Sequence, residues 1–180
     1  MGDKVTVASD WLAGCAGCHM SFLDIDERIV DLVQAATLTA TPVTDLKHPA
    51  PEGVTVGILE GAINNSTGEE VAKRMRERSQ ILIALGDCAV FGGVPTMRNF
   101  VGIQDALRRA YVESESTVDG QIPQHEDIAV MQECRAIDQV VPVDIYLPGC
   151  PPSADAIFYV LSELLAGRKP ELKGKYLDWH

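Results

Sequence analysis

The chain has 180 residues, 46% of them hydrophobic, which suits one globular domain able to bury roughly two thirds of its unfolded surface. Fifteen basic against twenty-six acidic residues give a formal charge of -11, and no basic stripe is present to neutralise a phosphate backbone, so nucleic acid is not an expected partner. The opening MGDKVTVASD has neither a basic leader with an apolar core nor a twin-arginine pair, and no apolar run approaches the ~18 residues of a membrane span; the expectation is a soluble, cytoplasmic protein with no membrane partner.

In chain order, the apolar, β-branched run Lys4 to Ser9 reads as a first strand. A helix over Met20 to Ala36 follows, because Ile25, Ile29, Leu32 and Val33 recur at helical spacing while Asp24, Asp26, Glu27 and Arg28 can face water. Val54 to Leu59 is a second strand, and INNSTGEE (63–70) then offers a capping box, Ser66 with Glu69 or Thr67 with Glu70, for a helix over Glu69 to Arg78. A flavodoxin-type phosphate cradle would instead follow the first strand, where this chain has cysteines. Ile81 to Leu85 is a third strand, and a helix over Val101 to Val112 comes next. The polar, acidic stretch 113–127 reads as a solvated surface insertion. Val143 to Leu147 is a fourth strand, and Pro151 and Pro152 lead into a helix over Ser153 to Ala166 that Arg168, Lys169 and Pro170 close. In the short tail (170–180), Tyr176, Leu177 and Trp179 are expected to fold back on the body or to meet another subunit. Strands alternating with helices imply an open parallel sheet with helices on its faces, a single α/β domain over 1–180.

The cysteines fall on this map in a pattern. Cys15 and Cys18, in WLAGCAGCHM, lie just beyond the first strand, Cys88 just beyond the third and Cys150 just beyond the fourth. In an open parallel sheet the carboxyl ends of the strands share one edge, where such folds bind ligands, so thiols separated by 70 and 62 positions can meet. CAGC alone also suits a redox dithiol at a helix start, and a structural zinc site usually takes two short-spaced pairs. An iron–sulfur cluster fits one pair and two singles better, because it can take thiolates from separate loops. Small or rigid residues flank each single thiol, in LGDCAVFGGVP (85–95) and LPGCPPS (147–153), and the starts of the helices after Cys18 and Cys150 are expected to supply N–H donors to the centre. His19 is read as a helix-start histidine beside the site, with ligation as the sharper alternative, and Trp11 as a cover against water or an interface residue. Cys134, in the irregular stretch MQECRAID, is read as a packed or partly exposed free thiol off the strand-end edge.

These motifs together, WLAGCAGC, LEGAI, GDCAVFGGVP and PGCPPS, resemble in order and over nearly the whole chain the small subunit of nickel–iron hydrogenases. The resemblance is closest to the short cytoplasmic NAD-reducing type. The related subunit of respiratory complex I has adjacent cysteines in the first loop, whereas Ala16 and Gly17 intervene here. The resemblance implies a flavodoxin-like fold and one 4Fe-4S cluster held by Cys15, Cys18, Cys88 and Cys150. It implies a large-subunit partner with the nickel–iron site, and iron–sulfur and flavin diaphorase subunits that carry FMN and further clusters. The chain would relay electrons in H2 + NAD+ = NADH + H+ without cleaving hydrogen itself. It also places Glu60 of the LEG motif near the cluster, with proton transfer or partner orientation as the sharper role and a carboxylate bonded to local backbone as the plainer one. A complex-I-like quinone oxidoreductase subunit and a flavodoxin-type FMN carrier are the alternatives.

Overall fold

In a computed structural model of the chain, residues 4–47 and 49–177 are described. The elements run β1 (Val5–Trp11), α1 (Gly17–Leu23), α2 (Arg28–Ala35), β2 (Ala36–Ala40), β3 (Val54–Glu60), β4 (Ile63–Asn65), α3 (Ser66–Arg78), β5 (Ser79–Leu85), α4 (Asp87–Phe91), α5 (Ile103–Tyr111), β6 (Met131–Arg135), β7 (Ile145–Leu147) and α6 (Ala154–Leu165). Short 3-10 turns cover Val94–Phe100, Ile137–Gln139 and Gly174–Tyr176.

Five strands form one all-parallel sheet in the order β2-β1-β3-β5-β7, and β4 and β6 form a separate antiparallel pair. That order is flavodoxin-like: the chain winds one way from β1 to β2 and the other way from β3 onward, which opens a crevice at the carboxyl ends of β1 and β3. Side chains alternate across the sheet. Val7, Val56, Ile58, Ile83 and Leu85 pack under α1, α2 and α6 with Ile25, Leu32, Ile157 and Val160. Ala8, Leu59, Leu82 and Ala84 pack on the other face against Ala72 and Met75 of α3 and Ala89 of α4. Both faces are covered, so β3 and β5 are apolar over most of their length, which is why they stand out in the sequence.

The expected elements differ from the observed ones in several places; besides the unexpected β4, α4 and β6, three differences stand out. The helix expected over Met20 to Ala36 is two helices. Asp26 adopts a left-handed conformation, φ 58°, which aspartate tolerates better than most residues, and the chain turns there while keeping Ile25 fully buried. The second surprise is β2, an edge strand that starts directly at the end of α2 with no turn residue between them, so that the five alternating residues ATLTA run on from the helical pattern without a break. Thirdly, α3 is not opened by a Ser66–Glu69 or Thr67–Glu70 capping box. Asn65 is the N-cap, its Oδ1 accepting the Gly68 N–H at 2.8 Å, while Glu69 turns outward to Lys73 and Arg135.

Tyr176 does fold back, stacking on Tyr159 with ring centroids 4.3 Å apart, whereas Leu177 is exposed and Trp179 lies outside the described residues. Cys134 is not in an irregular stretch: it sits buried on β6, where the side chain of Asn99 pairs with both its backbone N–H and its carbonyl.

Candidate metal centre

All four cysteines lie at the carboxyl edge of the sheet. Cys15 is in the β1–α1 loop and Cys18 in the first turn of α1; Cys88 is in α4 directly after β5, and Cys150 follows β7. Their approach is visible in their electrostatics. Burial pushes the Cys18 thiol well above its ordinary pKa, and Glu60, Cys15, Cys88 and Cys150 all push the same way. Burial also raises Cys88; the Val94 N–H hydrogen-bonds its sulfur and opposes the rise, while Cys150, Cys15 and Asp87 add to it. Cys18 and Cys88 therefore resist ionisation until a cationic centre compensates them.

Hydrogen bonds tie these loops to one another. The Leu12 N–H donates to the Glu60 carbonyl at 2.7 Å, and Ala13 and Ala62 exchange N–H···O bonds of 2.9 and 2.8 Å, joining the Cys15 loop to the end of β3. Ser21 Oγ donates to the Pro152 carbonyl at 2.5 Å, joining α1 to the Cys150 loop. The Gly149 N–H donates to Asp87 Oδ1 at 2.7 Å, and the Asp87 N–H returns a bond to the Gly149 carbonyl at 2.9 Å, joining the Cys88 and Cys150 loops.

Glycine makes room for the sulfurs. Gly86 has φ 83°, and a Cβ there would stand 2.2 Å from Cys18 Sγ; Gly93 has φ 49°, and a Cβ there would stand 2.9 Å from Cys88 Sγ. Cys18 is buried and Cys88 half-buried, while Cys15 and Cys150 are exposed. Among the described residues no three His, Cys, Asp or Glu groups are gathered so as to hold a single metal ion. One pair and two single thiols from separate loops suit an iron–sulfur cluster better than a structural zinc site, which usually takes two short-spaced pairs.

Two expectations about the surroundings change. Two N–H groups at the start of α1 are taken elsewhere: those of Cys18 and His19 donate to the two carboxylate oxygens of Glu60, at 3.3 and 2.9 Å. In the Cys150 region, the Ala156 N–H is taken by Ser153 Oγ at 3.2 Å. The donor found on a cysteine sulfur comes instead from Val94, whose part the sequence did not disclose. His19 is buried, its ring held between Glu60 and Ser9 Oγ, and it is no ligand in this arrangement. Trp11 is part-exposed and meets the His19 ring edge-on, 5.5 Å between centroids. Glu60 is bonded to backbone, as its plainer reading held, but to backbone some forty positions away in sequence.

Comparison with known proteins agrees with the geometry. The family model for the 20 kDa subunit of NADH ubiquinone oxidoreductase matches residues 15–164. The delta subunit of the NAD-reducing hydrogenase HoxS of Cupriavidus necator is 42% identical over 94% of this chain and 82% of its own length. One of the subunits of the F420-non-reducing hydrogenase of Methanothermobacter thermautotrophicus is 34% identical over 96% of this chain, which spans only 57% of that relative. Among solved structures, a chain of an NAD+-reducing nickel–iron hydrogenase in its H2-reduced state superposes with a TM-score of 0.94 at 34% identity, covering 99% of this chain and 100% of that one.

Proposed function

Because the chain belongs to the family of hydrogenase small subunits related to the 20 kDa subunit of NADH ubiquinone oxidoreductase, we propose that Cys15, Cys18, Cys88 and Cys150 hold one 4Fe-4S cluster through which it relays electrons. It is the electron-transferring subunit of an NAD-reducing nickel–iron hydrogenase, an oxidoreductase whose active site lies in the large subunit. What supports the cluster reading is the placement of four thiols at the ends of three different strands on one sheet edge, near enough that Cys15, Cys88 and Cys150 all act on Cys18, with Cys15 and Cys150 exposed.

When bound, such a cluster takes up and releases one electron at a time. The chain's residues do the rest. Hydrogen bonds among the four loops hold the sulfurs in place before the centre is filled, so little ordering remains to be done on assembly. The Val94 N–H lends partial positive charge to Cys88, and the apolar strand ends beneath keep water from the buried side. Electrons would arrive from a nickel–iron site of the large subunit and leave toward diaphorase subunits that would carry FMN and further clusters, giving H2 + NAD+ = NADH + H+. Directly after Cys88, Phe91, Val94, Met97, Phe100 and Val101 are all more than half exposed, an apolar patch suited to a partner that covers the cluster edge. The flavodoxin-type alternative loses support, since the N–H groups of Cys18 and His19, at the helix start after β1, are occupied by Glu60.

Iron and acid-labile sulfide analysis of the anaerobically purified complex tests this reading. About four irons are expected in this subunit. Cys88→Ala and Cys150→Ala should each abolish the cluster signal, and Cys134→Ala should leave it intact. A yellow, iron-free subunit with flavin absorption, or equal behaviour of the three variants, would overturn the assignment.

A further inference from the structure

We propose that Glu60 and His19 are positioning residues for this centre: together they fix Cys18 from behind, and the Glu60 carboxylate holds the centre's reduction potential low. The proposal rests on the four-thiolate reading above.

The need for such a pair follows from how α1 begins. Its N-cap is Ala16, at φ 63°, which has no side-chain acceptor to offer the first turn. Cys18 is 8% and His19 4% exposed, so water is a poor substitute for the missing acceptor. Glu60 supplies it from another element. This carboxylate, 2% exposed at the last position of β3, accepts the Cys18 N–H on Oε1 and the His19 N–H on Oε2. Oε2 also receives His19 Nδ1 at 2.5 Å, and the far side of the ring, Nε2, is 3.1 Å from Ser9 Oγ on β1. The backbone of the cysteine loop is thereby bolted to β1 and β3 at once.

A carboxylate this deep is costly unless its oxygens are satisfied, and three donors satisfy it here. Glutamine in its place would present an NH2 group to backbone N–H donors. Alanine at position 19 would remove one donor and leave the carboxylate less compensated. Negative charge held close to Cys18 disfavours adding an electron to a centre bound there, while each hydrogen bond to that charge weakens the effect. The two side chains therefore act on the potential with opposite signs, which a purely structural pair would not do.

The test is a redox titration of the purified complex, followed by the electron paramagnetic resonance of this subunit's cluster, in wild type, Glu60→Gln and His19→Ala. Glu60→Gln should move the midpoint potential positive by at least a tenfold change in the reduction equilibrium, about 59 mV for one electron. His19→Ala should move it negative. An unchanged potential in Glu60→Gln, shifts of one sign in both variants, or loss of the cluster from both would overturn the proposal. Should only Glu60→Gln lose its cluster, the sign of the His19→Ala shift decides. Wild-type complex without a cluster in this subunit would instead defeat the underlying reading.

Discussion

Cys18 is the most closely fitted of the four thiols, and Gly86 shows how closely. At φ 83° and ψ 163° Gly86 sits in a backbone region that essentially only glycine adopts, and a Cβ would in addition fall 2.2 Å from Cys18 Sγ. Gly86→Ala is therefore expected to displace the sulfur and give substoichiometric iron. Gly167→Ala serves as its control: φ is also positive there, 71°, but nothing lies within 4 Å of the new Cβ, so it carries a positive-φ penalty without the collision. Iron content per chain checks both, with a full complement expected only in Gly167→Ala. At this scale the four cysteines were legible in the sequence, because motif and spacing are properties of the chain. The roles of Gly86 and Val94 were not, because each depends on which sulfur the fold brings beside it.

Local signals at the level of elements succeeded where a single pattern dominated. The strands β1, β3 and β5 each carry a run of buried apolar residues, and their expected limits fell within two residues of those observed. Periodicity failed at Asp26, where one residue with positive φ breaks an otherwise continuous helical stripe, and at Asn65, where a strand-ending residue doubles as a cap. Removing that cap is a local experiment. Asn65→Ala should cost about 1 kcal/mol in denaturant unfolding, read as a lower midpoint with an unchanged slope, and leave the iron content as in wild type.

For the whole molecule, the question is what covers the open side of the cysteines. Gly93 packs against Cys88, and the turn that follows it leads to Met97, 65% exposed, and Phe100, 90% exposed, so a partner seated on this turn would also shield the cluster edge. Phe100→Asp is expected to weaken association with the large subunit about thirtyfold, the effect of losing a central contact worth about 2 kcal/mol. The subunit itself should keep its iron. Co-purification from cells followed by nickel analysis reads the outcome, and undiminished nickel in the purified complex would place the interface elsewhere. Among the described residues no helix is long and apolar enough to cross a membrane.

The sequence by itself determined the strand–helix alternation, the strand ends that carry the cysteines and the family motifs, since all of these are written in short windows of residue type and spacing. Only the tertiary structure decided the surroundings of the thiols. The N–H groups expected to face the centre turn instead to Glu60, forty-one and forty-two positions away, and the Cys88 and Cys150 loops are joined by Asp87 and Gly149, sixty-two positions apart. A hydrogen bond forms with whichever acceptor the packed sheet brings within reach, and periodicity along the chain carries no record of that choice.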